Sequence, residues 1–387
     1  MEKTEKMPSD LPEIEKQEIA EEEKFVEEKG DKNQEKSRKL WIIVLAFALL
    51  ASLGVIVWLL LSGRSDQRIH GENLNTFLGN VEEDNVERLD NIDPGTVVND
   101  PEIDLTDFDT NVTITAAGAH TLSGILNGSV LINADGPVTL NLNGVTLSSI
   151  ETAALANQTE NPLILNLLEN TTNTFTDGGS SVYDGAIFSK GSLEINGLGK
   201  DSTLGKLIVS GRQVLGKGIA TKSADLKLNS GKIMINSVGD GLATEEGGNI
   251  SVEDGVVWAK AGGDGFDSKR GIVINGGNLL IMSSVEKGSL ALKSSSGIAL
   301  NGGNVVALGA GDLEEPSASS QKFLTSKLDS TVATGSTVYI KNLDSNRIVN
   351  FSTQGEFKTL IYSASTLTTG NYEISVDGTV VGTGEVK

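Results

Sequence analysis

The chain has 387 residues, with 52 Asp and Glu against 31 Lys and Arg, for a formal net charge of −21. That balance argues against nucleic acid as a partner, because its phosphates would be repelled. The absence of Cys excludes disulfides, thiolate metal sites and cysteine nucleophiles. With 45 Gly and 4% aromatics, the core must come from Val, Ile, Leu and Ala, which suits short β-strands packed in thin layers.

Residues 1–39 carry 13 acidic and 9 basic side chains and too few large apolar groups to offset the entropy of ordering, so a disordered cytoplasmic tail is expected. LWIIVLAFALLASLGVIVWLLL, within residues 40–62, holds no charge. As a helix it reaches roughly 33 Å, enough to cross a hydrocarbon core of about 30 Å. Trp41 and Trp58 stand near its ends as interfacial anchors. The run is longer than a signal peptide's apolar region and ends in WLLLSGRS, so a retained anchor is expected.

Lys36, Arg38 and Lys39 precede the span, and Arg64 and Arg68 follow it. This modest excess favours an N-terminus inside and a C-terminal domain outside the cell membrane. The part beyond the anchor keeps 39 acidic and 22 basic residues, so it is near −17. Residues 63–108 are polar, with turn signals such as NIDPGTVVNDPEIDLTD, and read as an extracellular stalk.

After the stalk, short apolar runs such as VTIT, PVTLNLNGVTLSS and NPLILNLLE alternate at period two in places. Between Asp184 and Gly311, GAIFSKGSLEING, KGIATKSADLKLNSGKIMINSV, DGLATEEGGNISVEDGVVWAKAG and DGFDSKRGIVINGG align at a nearly constant interval. The alignment treats GLGKDSTLGKLIVSG as an insertion. A fixed period with several short strands and glycine corners marks a solenoid. The expected fold is all-β: a right-handed parallel β-helix over residues 109–315, with equivalent positions about 4.8 Å apart in successive turns. Residues 316–387, with longer β-like runs, form a C-terminal β cap over the end of the stack.

Gly239-Asp240-Gly241 recurs at the same interval as Gly263-Asp264-Gly265. In such a stack Asp240 and Asp264 fall one above the other, and two carboxylates near 5 Å repel by roughly 3 kcal/mol at an effective dielectric of about 20. Asp267 adds a third carboxylate. A Ca²⁺ ion, which takes hard oxygen ligands, resolves this repulsion. The other reading makes Asp a turn residue that satisfies local N–H groups.

Lys190, Lys222, Glu245 and Lys269 fall in a second column, either a mostly basic stripe for carboxylates of an acidic polymer or a solvated face. Trp258 reads as a sugar-stacking platform or as an outward aromatic against the insertion. Asn275 and Asn301 read as a structural Asn ladder.

YDGAIFSKGSLEING, KGIATKSADLKLNSGKIMINS and GDGLATEEGGNISVEDG resemble a bacterial carbohydrate-binding β-helix family whose members bind polygalacturonate-type acidic polysaccharide. The family hallmark is a repeated corner, [GD]DG-Φ-x-[ST]-K, with I-x-G-G strands, and the resemblance runs roughly from Val112 to Lys387. It implies a calcium-containing cell-surface binding protein without catalysis, with Asp240, Asp264 and Asp267 as the calcium corner. Two departures shorten the acidic ladder: Lys217 stands at the Asp240 position, and Leu290 follows in the next turn.

The expected function is therefore surface-displayed binding of an acidic, pectin-like glycan, with Lys190, Lys222, Lys269, Arg270 and Trp258 as ligand-binding residues. The enzyme alternative is a β-helix polysaccharide lyase or hydrolase, for which Arg270 beside Asp264 and Asp267 is the arrangement worth naming. His70 and His120 have no visible partner for acid/base work. The third alternative is a rigid structural or adhesive spacer. The sequence leaves the oligomeric state open.

Overall fold

The computed structural model describes residues 92–177, 183–212, 216–284 and 288–386. The expected tail, membrane span and most of the stalk, with His70, lie outside the described residues. Among the described residues the protein is all-β, and no helix is long and apolar enough to cross a membrane.

Up to Gly309 the strands stack in parallel, and aliphatic side chains explain why. One column of inward positions runs Ile187, Ile219, Leu242, Phe266, Leu292, each registered on the next and all buried. A second column runs Leu207, Ile233, Val257, Leu279, Val305. Each strand is too short to bury its apolar face alone, so the stack forms the core by adding turns. The spacing along the chain is nearly even from Ile219 to Leu242 and from Leu242 to Phe266, and slightly longer from Phe266 to Leu292.

Among the described residues, one strand of each turn joins a nine-stranded parallel sheet running from Thr96–Val97 to Leu292–Ser294. Two further strands in each later turn join a larger sheet, for example Leu226–Leu228 and Lys232–Ser237, followed by Ile250–Val252 and Val256–Ala261.

Two boundaries differ from the sequence reading. Parallel stacking starts within the expected stalk, where Thr96 and Val97 register on Val112 and Thr113. A two-residue strand carries no readable period. Within the supposed insertion, Lys206–Gly211 is an ordinary strand of the stack that pairs on both sides. The extra residues are confined to 198–205, a loop with one short 3₁₀ turn, Asp201–Thr203.

After Gly309 the pairing becomes antiparallel. Phe357–Ser363 lies between Asn304–Gly309, the last parallel strand of the larger sheet, and Phe323–Val332. It thereby covers an edge that would otherwise be open to pairing with another chain. A separate four-stranded antiparallel sheet follows. Its Val338, Ile340 and Ile374 share a hydrophobic cluster with Met282 and Leu308 of the stack.

Candidate functional site

The Gly-Asp-Gly corner forms where the nine-stranded sheet begins each turn. The amide N–H of Gly218 donates to Asp240 O, that of Gly241 to Asp264 O, and that of Gly265 to Leu290 O. Lys217, Asp240, Asp264 and Leu290 therefore form one column. The glycines are steric requirements. A Cβ on Gly241 would run into Gly265 O, one on Gly265 into Ala291 O, and one on Gly263 into the Asp240 carboxylate.

The carboxylates tie the turns together. Asp240 Oδ1 accepts the N–H of Asp264 at 2.8 Å, and Asp264 Oδ1 accepts the N–H of Leu290 at 2.8 Å. Each aspartate thus satisfies the amide at the equivalent position one turn on. Asp267 registers on Lys293, whose Nζ lies 3.1 Å from Asp267 Oδ2 and 2.6 Å from Asp264 Oδ2. Lys269 Nζ also reaches Asp267 Oδ2, at 2.8 Å. On the other side of Asp240, Lys217 pairs with Glu245 at 2.8 Å and with Asp184 at 3.6 Å.

The proton affinities follow from this arrangement. Burial works against the charge on Lys293, but its hydrogen bonds to Asp264 and Asp267 outweigh it and hold the ammonium above the usual lysine range. Burial likewise opposes the charge on Lys217, and Glu245, with Asp184 and Asp240, reverses the balance. Burial pushes the Asp240 carboxyl up; the Asp264 amide bond resists this, while the charges of Asp264 and Asp267 add to it. Glu314 is also raised, by burial first and then by Asp267.

The corner brings Asp240, Asp264 and Asp267 together, as the sequence indicates, but the cation that answers them is Lys293. Asp264 and Asp267 converge on one point, and the lysine ammonium stands there. Among the described residues no group of three Asp, Glu or His is placed to hold a metal ion. Calcium takes six to eight oxygens, so it would enter this corner only where Lys293 releases Asp264 and Asp267.

The basic stripe is largely neutralised. Lys190, Lys222, Glu245 and Lys269 do stack, each following a registered Ser or Thr. Lys222 lies 3.6 Å from Glu246, and Lys269 pairs with Asp267. Arg270 is exposed and forms no ion pair with Asp264 or Asp267 among the described residues, although it is their neighbour in sequence. Its backbone carbonyl accepts from Ser295 and Ser296.

Trp258 is half-buried and packs against the hydrophobic cluster shared with the C-terminal sheet. Asn275 and Asn301 do form a ladder, at 3.0 Å. His120 is buried, with both ring nitrogens facing backbone carbonyls, of Asp100 and Ala116.

Sequence reading missed two groups. Lys293 sits in a column of unlike residues, Ala220, Ala243, Asp267 and Lys293, so no repeated residue type marks it. Lys206 was hidden by the supposed insertion; it registers on Lys232 on the outer face of the larger sheet.

A family profile for a carbohydrate-binding domain-containing protein matches residues 108–376, well over half of the chain, and the chain belongs to that family. Among solved structures, a polysaccharide lyase-like protein from C. thermocellum, studied as a gadolinium derivative, is similar at 23% identity and a TM-score of 0.40. The similarity covers 50% of this chain and 77% of that one. No curated protein matches the chain.

Proposed function

We propose that this protein is a non-catalytic polysaccharide-binding module for acidic, polygalacturonate-like glycan, built on a right-handed parallel β-helix. The observation that carries the reading is membership of a carbohydrate-binding family over most of the β-rich part of the chain. The consecutive parallel registers support the β-helix. The uncharged run at residues 40–62 supports display from the cell membrane by a single N-terminal span.

The charged corner supports binding over catalysis. A lyase needs a lysine or arginine that gives up its proton readily, and Lys293 is held in the opposite state by Asp264 and Asp267. Arg270 stands apart from those carboxylates.

Calcium enters the proposal by exchange. Asp240, Asp264 and Asp267 are the residues that would hold it, and Lys293 must give up two of those carboxylates to admit it. The ion would supply a bridge between protein carboxylates and those of the glycan. Without such a bridge or a local cluster of lysines, a domain near −17 repels an acidic polymer.

A glycan array carrying uronate polymers beside neutral ones, run with calcium and with chelator, tests this reading. Retention on uronate polymers is expected. Retention only on neutral glycans would refute the acidic specificity, and release of unsaturated uronate product would refute the absence of catalysis.

A further inference from the structure

On a different face from the corner lie lysines that form no ion pair among the described residues. On the outer side of the larger sheet, Lys206 registers on Lys232, which in turn registers on Val256. Like charges directly opposite on neighbouring strands are destabilising. Lys232 is only 2% exposed, and its nearest polar partner is the Ser202 carbonyl at 3.5 Å. Burial first, and then the charge of Lys206, weaken its hold on a proton; Asp201 opposes this without pairing. Lys260, weakened by burial alone, has no ion pair among the described residues.

Between these charges lies an apolar strip. Ile208 registers on Met234, and Met234 on Trp258, all three facing outward and half-buried. Trp258 and the next members of that column, Leu280 and Val306, pack against the cluster shared with the C-terminal sheet, so Trp258 is the edge of the strip on that side. Lys260 is four residues along the strand from Val256 and two strands over from Lys206, so the two basic ends are about 16 Å apart.

We propose that the outer face of Lys206–Gly211, Lys232–Ser237 and Val256–Ala261 is a metal-independent binding surface for a carboxylate-bearing polysaccharide. Ile208, Met234 and Trp258 form the floor beneath the apolar faces of the sugar rings. Lys206 and Lys260 take carboxylates at the two ends, and buried Lys232 adds positive field from below. In a chain this acidic, a pair of stacked lysines that form no ion pair among the described residues is where an acidic polymer finds complementary charge. The inference rests on the acidic-glycan reading and gives it a location that needs no calcium.

The test is retention of the full chain on immobilised polygalacturonate in chelator, comparing wild type, the double variant Lys206→Gln with Lys260→Gln, and Lys327→Gln as an exposed control. Wild type and the control are expected to bind alike, and the double variant at least tenfold more weakly with an unchanged or higher unfolding midpoint. On the unmutated chain, polygalacturonate is expected to protect Lys206 and Lys260 from amine acylation, as read by mass spectrometry.

Equal binding by the double variant, or no protection, would overturn this surface while leaving the acidic-glycan reading intact. Wild-type binding that appears only with calcium would overturn it in favour of the corner. No wild-type binding under either condition would remove both.

Discussion

Lys293 reaches across one turn of the stack to Asp264, with its Nζ 2.6 Å from Oδ2, while the other oxygen of the same carboxylate accepts the N–H of Leu290. The cation demanded by stacked acids is thus carried by the next turn of the same chain. Asp264 and Asp267 are about nine-tenths covered at the side chain, so losing their partner has a real cost.

Replacing Lys293 by Met is therefore expected to destabilise the fold by about 1–3 kcal/mol, the range for charge-assisted bonds left unmade. Added calcium should recover much of that loss in the variant and raise the midpoint of wild type only slightly, because a ligand stabilises in proportion to its occupancy of the folded state. Thermal unfolding with chelator and with calcium reads both effects. A larger calcium shift in wild type than in Lys293→Met would show that the lysine does not compete for the corner.

Gly241 is expected to resist even alanine. Its added Cβ would press on the Gly265 carbonyl at the point where two turns are hydrogen-bonded. Overpacking of this kind costs about 1–3 kcal/mol. Denaturant unfolding of Gly241→Ala should show a lower midpoint with an unchanged slope. An unaltered midpoint would mean that the corner glycine is there for reasons other than close stacking.

The pH dependence has a definite sign. Lys293 holds its proton more tightly when folded than at its ordinary value of 10.5. Its contribution is therefore fully present below 10.5 and is lost as pH rises through the higher folded value. Lys217 acts in the same direction. Asp240, raised above 3.8, acts oppositely to a paired acid: stability is gained as pH falls through its folded value. Unfolding midpoints above pH 10.5 should fall more steeply for wild type than for Lys293→Met; parallel curves would contradict the ion pairs.

Much of this arrangement was legible in the sequence because the stack enforces a period. The column Lys217, Asp240, Asp264, Leu290 and the contact between Asn275 and Asn301 follow once turns of nearly constant length are aligned. What escaped depends on contacts between unlike residues. Lys293 pairs with Asp267 across a turn boundary, where the spacing is longer than in the turns before, and no repeated residue type marks the lysine. Lys206 was lost because a longer loop before it makes a regular strand look like an insertion. Arg270 is a neighbour of Asp264 and Asp267 in sequence, but it is exposed and forms no ion pair with either among the described residues.

The central claim, that the protein binds an acidic glycan and leaves it intact, is most directly tested by calorimetric titration of the full chain with a polygalacturonate oligomer. The titration is run first in chelator and then in calcium, and the recovered oligomer is examined for cleavage. Saturable binding with an unshortened oligomer is the expected result. Absence of binding in both buffers, or an oligomer recovered in fragments, would contradict it.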